Sequence, residues 1–247
     1  MRKIETSFIY IIAAFTFLTA CDKDNENNLK TPVPKAVDLG IVVNGKTVKW
    51  ASFNLGASKP EEYGDYFAWG EVVPYYSDGH SQDNPCADWR NGKEEGYCWT
   101  SYKWCNGTAK SLIKYNLYDE YGKVDNLRFL KPSDDAARVH LGGKWRIPTL
   151  AEWRELFEKC TWEEATEGAV NGLKITGPNG NSIFLPLPGY RYKTTQTDRD
   201  VNGLYWTSET IAPSYATIIS VDCSNRITHS ISSSHRFWGI SIRPVTE

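Results

Sequence analysis

Asp198, Asp200 and Asn202 set oxygen-bearing side chains at alternate positions, Gly203 follows them, and Glu209 stands at the twelfth position of the run. That spacing suits a calcium ion, which takes hard oxygens from alternating residues, a glycine where the chain turns sharply and a closing carboxylate. The next residues, Leu204 to Ser208, read as a strand, which would carry Glu209 away from the first three oxygens. The expectation is a polar turn, with calcium at Asp198, Asp200 and Asn202 as the alternative. Other chemistry is sparse. His80, His140, His229 and His235 are scattered, and no cysteine and histidine spacing fits zinc. No Gly-x-Ser-x-Gly elbow, phosphate-cradling glycine loop or singled-out carboxylate pair occurs. No catalytic residue is assigned.

Aromatic rings are the more abundant resource. Ten Trp and fourteen Tyr stand against a single Met, so rings rather than thioethers must do the packing and any stacking. Flat ring faces can stack on sugars or anchor protein partners. Trp50, Trp69, Trp104, Trp145, Trp153 and Trp206 are expected in the core. Tyr75, Tyr76 and Trp89 fall in a polar, Pro- and Gly-rich stretch over residues 74–98. They are the candidate ligand-binding residues, on the expectation that they are exposed.

The start of the chain bears on location. Arg2 and Lys3 precede an apolar run from Phe8 to Leu18, too short to span a bilayer and typical of a secretory signal. It ends in Leu18-Thr19-Ala20-Cys21, which resembles the lipobox of bacterial lipoproteins. The resemblance implies cleavage before Cys21 and acylation of its thiol and new amino group, which would anchor the protein on a membrane. Residues 22–35 read as a solvated tether. Asp22, Asp24 and Glu26 resemble the acidic signal that sends Bacteroidetes lipoproteins to the outer face. The expected location is the bacterial outer membrane, facing the exterior.

Residues 1–20 carry two bases and one acid, so the formal charge of −2 becomes −3 in the chain from Cys21 onward. That balance argues against a nucleic-acid partner and against a polybasic membrane patch. Five cysteines follow the lipid-bearing one: Cys86, Cys98, Cys105, Cys160 and Cys223. An odd number leaves at least one thiol unpaired within the chain. Cys86 and Cys98, in one polar loop, are the best local pair, and the full pairing stays open.

The elements that must position these groups are mixed. Val48 to Phe53 alternates as a strand, and Asp65 to Trp69 follows a glycine turn. Ser133 can cap a helix over Asp134 to Val139. Thr149-Leu150-Ala151-Glu152 is a capping box, and Trp153, Leu156, Phe157 and Cys160 then share one helix face. Pro178-Asn179-Gly180 joins strands Gly172 to Thr176 and Ser182 to Leu185 as a hairpin. Further strands are expected at Leu204 to Ser208, Tyr215 to Val221, Arg226 to Ile231 and Phe237 to Arg243. The class is α+β, in one domain over residues 36–247.

Several motifs occur in an order that resembles the Fibrobacter succinogenes major paralogous domain, a family of Bacteroidetes and Fibrobacteres lipoproteins. They are Val37-Asp38-Leu39-Gly40, Asn54-Leu55-Gly56-Ala57, Tyr63-Gly64-Asp65-Tyr66-Phe67-Ala68-Trp69-Gly70-Glu71, Gly143-Lys144-Trp145-Arg146-Ile147-Pro148-Thr149, Gly189-Tyr190-Arg191, Tyr205-Trp206-Thr207-Ser208 and Ile242-Arg243-Pro244-Val245. That family is similar to the formylglycine-generating group, whose fold is a variant of the C-type lectin-like fold. The resemblance implies an irregular lectin-like domain with two helices and small antiparallel sheets. The enzymes of that group use two thiolates a few residues apart near the C-terminus. Here the stretch Asn225 to Arg236 holds no cysteine, and Cys223 stands alone before it. The leading expectation is a non-catalytic binding module for glycan or protein ligands. The alternatives are an enzyme distantly like that group and a structural surface protein without a dedicated ligand.

Overall fold

The structure is a computed structural model that describes residues 32–78, 87–90, 92–223 and 227–247. The expected signal segment, Cys21 and Cys86 lie outside the described residues, and with Cys86 so does the expected Cys86–Cys98 pair. In chain order the early strands are β1 (Ala36–Val43), β2 (Lys46–Ala51), β3 (Tyr76–Asp78) and β4 (Ala87–Trp89). Two helices follow, α1 (Ala136–Leu141) and α2 (Leu150–Lys159). Then come β5 (Thr161–Glu167), β6 (Val170–Thr176), β7 (Ser182–Pro186), β8 (Tyr190–Tyr192), β9 (Thr195–Thr197), β10 (Asn202–Ala212), β11 (Tyr215–Asp222), β12 (Thr228–His235) and β13 (Val245–Thr246). The architecture is α+β and sheet-rich. Its small sheets run β1-β2-β13, β5-β6-β7 and β10-β11-β12, with two-stranded β3-β4 and β8-β9.

Local chemistry explains the turns. Asn44 and Gly45 join β1 to β2 with φ of 50° and 77°, as a two-residue turn with both centres left-handed requires. Pro178-Asn179-Gly180 joins β6 to β7, as expected. Thr149 caps α2 in a full capping box with Glu152, whose carboxylate also receives Arg146 at 2.7 Å. Glu209, in β10, accepts the Leu150 N–H at 2.9 Å and supplies a second carboxylate at the same helix start.

Three buried clusters fill the interior. One joins Trp50, Trp153, Leu156, Leu173, Tyr205 and Val221 beneath α2, with Trp50 and Trp153 edge-on at 4.7 Å. A second gathers around Trp69, Ile147, Trp206 and Ile240. A third is aromatic, around Tyr66, Tyr75, Tyr97 and Tyr102. Buried arginines tie distant segments together. Arg243 is fully buried and donates to Asn54 Oδ1 at 2.8 Å, Ala51 O at 3.0 Å and Phe184 O at 2.8 Å. Burial lowers its guanidinium to about 10.

Some expectations need correction. The cap of α1 is Asp135, not Ser133, because Pro132–Asp134 forms a 3-10 turn and the Asp135 carboxylate accepts Arg138 N at 3.0 Å. Asp65 to Trp69 carries one bridge, from Phe67 to Ile240. Phe237 to Arg243 is a run of separate bridges, from Gly239 to Arg191, Ile240 to Phe67 and Ser241 to Tyr205. Strand β5 has no counterpart in the sequence reading.

Candidate functional site

Strand β8 alternates, so Tyr190 and Tyr192 leave one face and Arg191 leaves the other. Arg191 is only 7% exposed, and its guanidinium lies over the rings of Tyr76 at 4.3 Å and Tyr66 at 5.3 Å. The end of β12 and the residues after it repeat this plan. His235 and Phe237 flank Arg236, which is fully buried and donates to Tyr115 O at 2.6 Å, Thr210 Oγ1 at 2.9 Å and Ala212 O at 3.1 Å. Each segment is thus anchored inward by an arginine, with ring-bearing residues on either side of it.

The backbone joins the two segments. Arg191 N donates to Gly239 O at 2.8 Å, and Gly239 N returns a bond to Arg191 O at 3.0 Å. Glycine is required at 239 because a Cβ there would meet the Tyr97 ring at 2.6 Å. The bridge brings Tyr190 and Tyr192 beside Phe237 and Trp238.

The result is an aromatic band, a chain of aromatic contacts that passes through Phe237, itself buried at 5% exposure, and reaches the surface on either side of it. Tyr190 stacks on Trp238 at 4.4 Å and 6°. Tyr192 meets Trp238 and Phe237, each at 6.1 Å. Phe237 stacks on His235 at 5.2 Å, and His235 stacks on Tyr215 at 4.3 Å. Trp99 closes on Phe237 edge-first at 4.9 Å. Tyr192 is 43% exposed and Tyr215 38%, while Trp99, Tyr190, His235 and Trp238 are half-buried. Burial lowers the His235 imidazole below its ordinary value, against a hydrogen bond with the Ser214 backbone, and so favours the neutral ring.

The residues singled out from sequence lie elsewhere. Tyr75 does not form a surface. It is fully buried, stacks on Tyr97 at 4.4 Å, and its hydroxyl donates to Glu71 at 2.5 Å. Burial pushes the Glu71 carboxyl up, although Lys93 and the Lys103 N–H oppose it. Tyr76 and Trp89 are half-buried, 5.0 Å apart, and Tyr76 lies on the Arg191 side of β8, away from Tyr190 and Tyr192. Position in a polar loop had suggested exposure, but the packing of that loop against Tyr97 and Arg191 removes most of it.

Asp198 and Asp200 form a tight turn with φ of 55° and 64°. Asp200 accepts the Tyr63 hydroxyl, Asn202 Oδ1 accepts Ser220 Oγ at 3.2 Å, and Glu209 is engaged at α2. Among the described residues no group of three or more His, Cys, Asp or Glu side chains converges to hold a metal ion. Among the described residues Cys98, Cys105, Cys160 and Cys223 form no disulfide with one another. Burial pushes Cys160 and Cys223 each to about 11. Two shallow hollows occur away from the band, one of about 300 Å³ beside Phe157 and His229 and one of about 140 Å³ beside Lys174 and Phe184.

Sequence reasoning missed Tyr192, Tyr215, His235, Phe237 and Trp238. The available signal was the repeated pattern of Tyr190-Arg191-Tyr192 and His235-Arg236-Phe237, an arginine flanked by rings. No helix among the described residues is long and apolar enough to cross a membrane. No family model, curated protein or solved structure matches the chain.

Proposed function

We propose that the protein is a cell-envelope lipoprotein, held through acylated Cys21 on a bacterial outer membrane and facing outward. Its 36–247 head, of lectin-like architecture, serves as a non-catalytic binding module for glycan or protein ligands. The carrying observation is the aromatic band. Rings that only filled a core would be buried, whereas Tyr192 and Tyr215 keep 43% and 38% of their surface in solvent while fixed to their ring neighbours. Rigid, amphipathic rings supply contact area at low entropic cost. The resemblance of the Leu-Thr-Ala-Cys segment to a lipobox and of the ordered motifs to the Fibrobacter succinogenes paralogous family supports the envelope assignment.

Mass spectrometry of the purified native chain tests the anchor and should show a diacyl or triacyl Cys21 at its amino terminus. A glycan and surface-protein array probed with the same material, in a detergent without a sugar headgroup, tests the binding. Reproducible retention on some array member is expected. Silence across both arrays would overturn the binding reading.

A further inference from the structure

We infer that the free edge of β12 pairs with the same strand of a second copy of this chain, antiparallel, across a two-fold axis beside Ile231.

The backbone sets the geometry. Strand β12 is the outer strand of β10-β11-β12, and its His235 stands opposite Tyr215 in the register with β11. One step further, Arg236 N donates to Ser214 O at 3.2 Å. Residues of the same parity, Ser230, Ser232 and Ser234, therefore turn their N–H and C=O toward β11. His229, Ile231 and Ser233 turn theirs the other way, to the open edge. Residues 228–233 are all exposed, and among the described residues no backbone group outside β11 bonds to them. A row of free donors and acceptors on a strand edge takes another extended strand.

The side chains choose which strand. The other long edges carry guards against pairing. β1 has a bulge between Asp38 and Ile41, β5 holds Glu163, Glu164 and Glu167, β7 ends in Pro186, and β10 breaks register after Trp206. β12 has none of these. Its sequence, Thr228-His229-Ser230-Ile231-Ser232-Ser233-Ser234-His235, holds no Asp, Glu, Lys, Arg, Pro or Gly, and its register with β11 is unbroken. Such a strand is complementary to itself. With the axis beside Ile231, each Ile231 meets its counterpart, His229 meets Ser233, and Ser230 meets Ser232. No like charges face each other, and serine hydroxyls can bond across the strands. The two Ile231 side chains, each 43% exposed, cover one another. About six backbone hydrogen bonds join the copies. On the Ile231 face a hollow of about 300 Å³ lies between β12 and α2, lined by Phe157, His229 and Ile231, with room for the incoming Ile231 and Ser233 side chains. The contact is one strand wide. It falls at the small end of interfaces, below about 1,200 Å² in total, so a dissociation constant of about 10–100 µM is expected.

The test uses the full-length chain in detergent, with micelles in excess, and follows sedimentation equilibrium from about 1 to 300 µM. Ile231→Lys and Ile231→Glu each set like charges across the axis. Ser233→Pro removes an outward N–H and leaves the ladder to β11 intact. Thermal unfolding checks that each variant folds. The native chain should dimerise, each variant should weaken the dimer about tenfold or more, and an equimolar mixture of the Ile231→Lys and Ile231→Glu chains should restore it. Recovery in the mixture reads the Ile231 juxtaposition itself, which a general loss of stability would not produce. A native chain that stays monomeric to about 300 µM would overturn the inference, as would a dimer indifferent to all three substitutions. Variants that weaken the dimer without recovery in the mixture would overturn pairing about Ile231. A protein from the surface array, held by a monomeric native chain and lost from Ser233→Pro, would give the edge to a foreign strand instead. None of these outcomes bears on ligand binding by the aromatic band.

Discussion

Arg191 and Gly239 exchange backbone hydrogen bonds in both directions, at 2.8 and 3.0 Å, and this one bridge sets Tyr192 against Phe237 and Trp238. The band therefore depends on close backbone approach at Gly239, where the Tyr97 ring occupies the space a side chain would need.

Gly239→Ala should disturb that approach. Tyr97 is fully buried and cannot swing aside, so the added methyl forces a backbone shift. A loss of about 1–3 kcal/mol in urea unfolding is expected, with altered near-ultraviolet circular dichroism from the rings. An unchanged unfolding midpoint would show that the bridge tolerates side chains.

Arg236→Met keeps most of the buried volume and removes the donors to Tyr115 O and Ala212 O. The stranded carbonyls should cost about 2–4 kcal/mol. Equilibrium denaturation reads this directly, and a cost below the error of the method would mean that the carbonyls find other partners.

Helix α2 carries a smaller, more local test. Thr149→Ala removes the side-chain cap on Glu152 N and should cost about 1 kcal/mol. Glu152→Ala should cost more, since Arg146 then loses its bidentate carboxylate. The order of the two melting temperatures is the readout.

Acid should weaken the fold through His235. Its folded value lies below the ordinary histidine value of about 6.5, so the unfolded chain binds more protons in that region. The contribution is complete above about pH 6.5 and is lost as pH falls toward the folded value. The effect is small because part of the ring meets solvent. His235→Gln should flatten the melting temperature between about pH 7 and pH 5, and an identical slope in native and variant chains would exclude the site.

What was legible from sequence was local. The Thr149 capping box and the Pro178-Asn179-Gly180 hairpin depend on residues a few positions apart, and both form as read. Strand β5 was not legible because Thr161-Trp162-Glu163-Glu164-Ala165-Thr166-Glu167 is mostly exposed and held by pairing with β6 rather than by burial. Asp135 took the cap from Ser133 because it also accepts the Ile147 N–H at 2.9 Å, a contact that no local pattern contains. The candidate site was hidden for the same reason. Its rings come from Trp99, Tyr190, Tyr192, Tyr215, His235, Phe237 and Trp238, which only tertiary pairing brings together. Tyr75 was misread because composition reports that a stretch is polar and not which of its rings the neighbouring core absorbs.

If the head binds its ligand through the exposed rings, truncating those rings must weaken the binding. The most direct test compares full-length native protein with the Tyr192→Ala/Tyr215→Ala double variant over the same glycan and surface-protein arrays, with melting temperatures measured alongside. The native protein should retain a ligand whose affinity falls about tenfold or more in the variant, while the variant still unfolds cooperatively with only a small loss of stability. Equal retention by the two proteins would contradict binding through these rings.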